Sequence, residues 1–256
     1  MTTEQRYTKE HVTHIKHWAN NKLFSITTTR SPEFTFKPGQ FTRLGLPENA
    51  GDEPSIWRGF SMVNAVDAPH LEFYAVVVPD GQFSPRLAQL NVGDTIYIDK
   101  SPIGFLTLDN FPNGGKSLWL LATGTGLSAY LSILQDPKTW QLFDNIILCH
   151  GVRFVDELSY QELIHSWQQT WGKRFVYLPL PTREAYQDLP QQRLTTLIEQ
   201  DQLANLAGIN LDPQNSCVML CGNPDMLAEA RKLLGDRGFA TGRRGNIGNL
   251  AVEKYW

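Results

Sequence analysis

The sequence predicts two folded parts in series, an antiparallel β-barrel followed by an α/β unit built on a parallel sheet. Two observations carry this reading. Short β-like runs separated by turn signals fill the N-terminal part, whereas beyond Lys116 buried-looking strands alternate with helical stretches. The length of 256 residues fits one to two domains with cores large enough to need no disulfide or metal staple.

In the N-terminal part the runs are Leu23–Thr29, Phe41–Leu46, Leu71–Val78 and Thr95–Ile98. They are divided by Lys37-Pro38-Gly39, Pro79-Asp80-Gly81 and Val92-Gly93-Asp94, where Pro fixes φ and Gly frees it for a turn. Short strands at such spacing suggest a barrel. The texture changes after Asn113-Gly114-Gly115-Lys116. Strands over Ser117–Ala122, Asn145–His150, Arg174–Leu178 and Ser216–Cys221 then alternate with helical stretches such as Asp156–Trp171 and Pro224–Leu234. Strand–helix alternation implies βαβ crossovers and a parallel sheet. The boundary is expected between Phe105 and Lys116, giving domains over residues 1–110 and 111–256.

Composition excludes several classes. With 41% hydrophobic and 19% charged residues the chain is neither disordered nor fibrous. A formal net charge of −3 supplies no bulk field for nucleic acid or anionic lipid. No apolar run approaches the ~20 residues of a membrane span, and the polar start lacks a signal-peptide core. Cys149, Cys217 and Cys221 form no CxxC pair, which disfavours a disulfide framework and a thiolate metal site. A soluble cytoplasmic protein, with neither nucleic acid nor membrane as partner and with no metal, is expected.

The residues with chemical promise lie where strands end, because open parallel sheets bind ligands beyond their carboxyl ends. Leu118–Ala122 runs into Thr123-Gly124-Thr125-Gly126 and a helical Leu127–Leu134. This places glycines where backbone N–H groups can meet a phosphate, although glycines also serve any tight strand-to-helix turn. The next strand ends in Gly151-Val152-Arg153, where an NAD enzyme usually carries an acid for the ribose; an arginine there favours a 2′-phosphate. Arg183 follows the third strand and Arg193 lies a short segment beyond, so the three guanidiniums either converge on one phosphate or stand as solvated surface charges. Cys221 ends the fourth strand, where its thiol can reach a cofactor ring, while Cys217 reads as core.

In the barrel, Arg58-Gly59-Phe60-Ser61 offers a cation, a flat ring and a hydroxyl, or else an ordinary half-buried strand. Ser84 reads as an N-cap with Pro85 at the first helical position, a second anion site or simply a cap. The closing Val252-Glu253-Lys254-Tyr255-Trp256 puts two aromatics where they must dock on something, either a planar cofactor or an apolar seam. His11, His14 and His17 read as a solvated N-terminal segment rather than a metal site.

Taken in order, RGFS, the Gly81–Ser84 GxxS, TGTG, HGVR, TRE, CGNP and a terminal EKYW resemble the ferredoxin-NADP reductase family, specifically its bacterial ferredoxin or flavodoxin reductases. The resemblance spans nearly the whole chain. It implies an FAD-binding barrel followed by an NADP-binding α/β domain. On the flavin side it implies Arg58 for phosphate, Phe60 against the isoalloxazine and ribityl region, Ser61 near flavin N5 and Ser84 on the pyrophosphate, with Gly59, Tyr74 and Val76 completing the contact set. On the pyridine-nucleotide side it implies Thr123, Gly124 and Gly126 for the pyrophosphate, Arg153 and Arg183 with Arg193 for the 2′-phosphate, and Cys221 beside the nicotinamide. Glu253 matches the family's carboxylate near the active centre, Tyr255 the aromatic covering the flavin, and Trp256 an extension stacking on the adenine. Ser61, Cys221, Glu253 and Tyr255 are the implied catalytic set.

The implied activity is hydride exchange between NADPH and FAD, with single electrons passing to ferredoxin or flavodoxin. An acidic carrier calls for a basic patch, for which Lys100, Lys116, Arg237, Arg243 and Arg244 are candidates. Two departures stand out. The family's RxYS has Tyr where Phe60 stands, and TGTGLSA lacks the proline many members carry after the second glycine. The rival readings are a flavin reductase serving an oxygenase or a ferric chelate, and a non-catalytic nucleotide-binding subunit.

Overall fold

The computed structural model describes residues 5–49, 51–242 and 246–254. It resolves into two compact units, Met1–Gly104 with Ser128–Gln135, and Phe105–Leu127 with Asp136–Trp256.

The first unit contains β1 (Tyr7–Trp18), β2 (Leu23–Thr28), β3 (Phe41–Pro47), β4 (Pro54–Ser61), β5 (Leu71–Val76), the single-turn helix α1 (Ser84–Leu87) and β6 (Thr95–Asp99). The strands pair antiparallel in the order β4-β3-β6-β1-β2-β5. Just past β4, Met62 bridges Phe73 of β5 and the Val63 N–H donates to the Glu72 carbonyl at 2.9 Å, so the two edges meet and the sheet closes. Closure removes the unpaired edges an open sheet would expose. Phe24, Ile26, Leu44, Met62, Phe73 and Ile98 fill the interior. The expected barrel is therefore present. Its longest strand, the 12-residue β1, is absent from the runs read off the sequence because Lys, Glu and His interrupt its alternation and its register shifts between Val12 and His14. His11, His14 and His17 are exposed along it, and no metal-binding cluster occurs among the described residues.

Residues 128–135 of the helix α2 (Leu127–Gln135) belong to this unit. Ser132 Oγ donates to the Asn64 carbonyl at 2.9 Å and Gln135 Nε2 to the Val63 carbonyl at 2.7 Å.

The second unit runs β7 (Gly115–Thr123), α3 (Pro137–Leu142), β8 (Phe143–Val152), α4 (Gln161–Trp171), β9 (Phe175–Pro181), α5 (Leu194–Glu199), α6 (Gln202–Ala207), β10 (Ser216–Gly222), α7 (Pro224–Asp236) and β11 (Leu250–Lys254). All five strands are parallel, in the order β11-β10-β7-β8-β9. Their central residues, including Trp119, Leu121, Ile147, Leu178, Val218 and Leu220, are buried beneath Leu197, Leu227 and Leu234 of the helices. Helix α4 begins later than the expected Asp156, because residues 155–157 form a separate 3₁₀ turn and Tyr160 stands at φ +59°. Helix α7 starts where the sequence places it, since Asn223 Oδ1 accepts the Asp225 N–H at 2.8 Å and Pro224 needs no donor partner. The chain moves outward from β7 through β8 to β9 and then returns to lay β10 on the other side of β7. That reversal is a topological switch point, where open α/β sheets bind ligands. No described helix is long and apolar enough to cross a membrane.

Candidate active site

In the barrel, the RGFS segment does not alternate. Arg58 and Gly59 are exposed, whereas Phe60 and Ser61 at the end of β4 are buried. Phe60 packs on Phe83 with ring centroids 5.7 Å apart, and Arg58 closes no ion pair among the described residues. An exposed uncommitted cation two residues from a buried ring and hydroxyl suits a ligand with an anionic and an aromatic end. Tyr74 is buried with its ring edge-on to Trp18, and Val76 is half-buried. Ser84 is not an N-cap. It is the first residue of α1, Phe83 occupies the capping position, and Ser84 Oγ accepts the Val78 N–H at 2.9 Å, tying the preceding turn together.

In the parallel unit, Thr123 to Gly126 connect β7 to α2 at the switch point. Gly126 must be glycine, because a Cβ there would meet the Cys221 carbonyl oxygen at 2.5 Å. Gly124 differs: its φ is +53° and nothing lies within 4 Å of where its Cβ would be, so the turn is open on that side. Thr123 Oγ1 accepts the Asn223 N–H at 2.8 Å, joining the turns after β7 and β10. Beneath the turn lies His150, with Nε2 3.0 Å from the Gly124 carbonyl oxygen.

Arg153 and Arg183 come together. Beyond the ends of β8 and β9 the ladder continues through Thr182 N–H to the Val152 carbonyl at 3.0 Å and Arg183 N–H to the Arg153 carbonyl at 2.9 Å. Two carboxylates stand nearby without neutralising them: Glu157 accepts the Arg153 N–H at 2.9 Å, and Glu184 accepts the Val155 N–H. Both guanidiniums are exposed and form no ion pair among the described residues, and Arg183 lies 5.9 Å from the Phe154 ring centroid. Arg193 immediately precedes α5, and no hydrogen bond or ion pair links it to this pair among the described residues.

Cys221 and Glu253 are register partners on β10 and β11. The Glu253 carboxylate oxygens are buried without a hydrogen bond of normal geometry, and burial pushes its pKa up to about 7, partly opposed by the nearby Phe105 and Leu106 amides. Burial first, and the Glu253 charge second, push the Cys221 thiol well up as well. Of the other candidates, Arg237 pairs with Asp201 at 2.9 Å and donates to the Ile198 carbonyl, which commits it locally. Tyr255, Trp256, Arg243 and Arg244 lie outside the described residues. Sequence reasoning missed His150, Glu157 and Glu184. Only His150 left a signal, a polar residue closing the apolar run Ile146–Cys149.

The donor sets fit a dinucleotide and a flavin: an open glycine turn at a switch point, two exposed guanidiniums on the loops that follow β8 and β9, and the Arg58–Ser61 segment on the barrel. Residues 120–232 match the Oxidoreductase NAD-binding domain family. Ferredoxin–NADP reductase A of Sorangium cellulosum is 39% identical over 256 residues, 97% of this chain and 90% of that protein. The flavodoxin/ferredoxin–NADP reductase of Escherichia coli is 38% identical over 246 residues, 96% of this chain and 97% of that one. A crystal structure of a ferredoxin NADP+ reductase from Neisseria gonorrhoeae, with bound FAD and NADP, is 35% identical and superposes with a TM-score of 0.92 over 99% of this chain and 100% of that one. A closed antiparallel barrel followed by a parallel nucleotide-binding sheet defines a class of two-part oxidoreductases. Within that class, the chain belongs to the ferredoxin-NADP reductase family.

Proposed function

We propose that the chain is an FAD-dependent reductase that exchanges electrons between NADP(H) and ferredoxin or flavodoxin, working in the cytoplasm. Full-length kinship supports the reaction, and the observation that carries the choice of NADP is the Arg153–Arg183 pair at the ends of β8 and β9. Residues 1–110 would hold FAD and residues 111–256 NADP.

FAD, when bound, supplies the conversion between two-electron hydride exchange and one-electron release. The protein's own work is binding, orientation and proton handling. Arg58 and Ser84 would hold flavin phosphates, Phe60, Tyr74 and Val76 its apolar parts, and Ser61 its polar ring edge. In the parallel unit, the amides of Thr123–Gly126 would receive the NADP pyrophosphate, and Arg153 and Arg183 would hold the 2′-phosphate bidentately, with Arg193 adding charge. Glu253, with a pKa near 7, is suited to take or give a proton at neutral pH. Cys221 stays a neutral thiol and shapes the nicotinamide site without reacting. Tyr255 would cover the flavin until nucleotide arrives, and Trp256 would stack on the adenine of FAD. Lys100 and Lys116 are the remaining described candidates for docking an acidic carrier.

The test is an anaerobic titration of the FAD-loaded protein with NADPH and then NADH, following flavin bleaching. Bleaching by NADPH at far lower concentration is expected. Equal response to both nucleotides would remove the role of Arg153 and Arg183, and no bleaching by either would remove the reductase reading.

A further inference from the structure

His150 is the last polar residue of β8 before Gly151, and its side chain is completely buried in the parallel unit. Nε2 lies 3.0 Å from the Gly124 carbonyl oxygen. A carbonyl only accepts, so Nε2 carries the hydrogen; Nδ1 then has no partner among the described residues. A buried ring nitrogen left bare is costly and uncommon. What the arrangement secures is one bond, to the carbonyl of the turn that closes the topological switch point.

The position of that bond gives it a consequence. Gly124 adopts φ +53°, a conformation its own sequence does not enforce, since glycine visits many others nearly as readily. The proline that could have stiffened the turn is absent from Thr123–Ala129. Because the peptide bond is planar and trans, fixing the Gly124 carbonyl fixes the whole Gly124–Thr125 peptide plane and the direction of the N–H on its far edge. The turn is held on its other side by Thr123 Oγ1 and the Asn223 N–H, and is pressed at Gly126 against the Cys221 carbonyl. His150 supplies the hold from beneath.

We infer that His150 is a positioning residue for NADP binding: by donating Nε2–H to the Gly124 carbonyl it presets the backbone of the Thr123–Gly126 turn in the shape that receives the dinucleotide pyrophosphate. The inference rests on the reading of that turn as the NADP pyrophosphate site. Preorganising the turn removes an ordering cost from binding, so the effect falls on nucleotide affinity rather than on turnover.

The experiment compares the FAD-loaded protein with His150→Phe, which keeps a ring but cannot donate, and His150→Gln, whose Nε2 can. NADP+ dissociation constants are measured by calorimetry, alongside KM and kcat for NADPH and the flavin content of each preparation. His150→Phe is expected to raise the NADP+ dissociation constant and the NADPH KM about three- to tenfold with kcat and flavin content little changed, and His150→Gln to restore most of the affinity. Unchanged NADP+ affinity in His150→Phe overturns the inference, as does equal weakening in both variants, which would mark a packing role. If His150→Phe does not fold, the unaltered protein decides. Nitrogen-15 spectra of labelled histidine should show a bare Nδ1 and an Nε2–H whose signal moves when NADP+ is added, and the opposite tautomer or a silent signal overturns it. Arg153→Ala separates this inference from its premise. If that variant also binds NADP+ normally, the nucleotide site itself is misplaced; if it binds weakly while His150→Phe does not, only the role of His150 falls.

Discussion

Cys221 and Glu253 stand opposite each other in the register of the adjacent strands β10 and β11, and the carboxylate helps hold the thiol protonated. The relationship is unequal. Desolvation dominates both shifts, but the carboxylate, at about 7, is the group that changes charge near neutrality.

The raised pKa of Glu253 makes stability depend on pH. In the unfolded chain the carboxyl ionises near its ordinary 4.5, in the folded protein at about 7, so below 4.5 both states hold the proton and the buried acid costs no charge. As pH rises from 4.5 through 7 the folded state falls behind, by on the order of 3 kcal/mol. Glu253→Gln should remove that loss. Urea midpoints of parent and variant should agree most closely at pH 4.5 and diverge in favour of the variant by pH 8.

The three cysteines should be unreactive in the folded protein. All are buried, and burial pushes Cys149 and Cys221 far up and Cys217 up to about 11, which disfavours their thiolates. Ellman's reagent at pH 8 should find almost no fast thiol in native protein and three after denaturation.

Arg153 and Arg183 should set the coenzyme preference. Each lost guanidinium–phosphate contact is worth about 1.5–3 kcal/mol, so Arg153→Ala or Arg183→Ala should raise the NADPH KM roughly tenfold or more and leave NADH kinetics nearly unchanged. Steady-state assays with both coenzymes check this, and a parallel loss with NADH would point to a displaced loop instead.

The two glycines of the turn should respond differently to a methyl group. Gly126→Ala drives a Cβ to within 2.5 Å of a backbone carbonyl that cannot yield, so a loss of several kcal/mol or a failure to fold is expected. Gly124→Ala meets open space and costs only the left-handed conformation, about 1 kcal/mol. Thermal denaturation of the two variants orders them.

Both units were legible in the sequence because turn chemistry and strand–helix alternation are local signals. β1 was not, since its polar, bulged run Tyr7–Trp18 earns its pairing from neighbours β2 and β6 rather than from its own pattern. Within the candidate nucleotide site the glycines and arginines were visible as residue types at strand ends. The hold of His150 on Gly124, and the use of Glu157 and Glu184 on backbone amides, depend on which side chains converge in space, and no spacing rule encodes that.

The bond between Thr123 and the Asn223 amide joins residues 100 apart in the chain. Strands β7, β8 and β9 can pair in sequence as they emerge, but the turn at Gly124–Gly126 has no second wall until β10 docks beside β7. The proposed nucleotide turn is therefore among the last features of its unit to be assembled during folding, and a ligand bound there would stabilise only a chain that has already completed it.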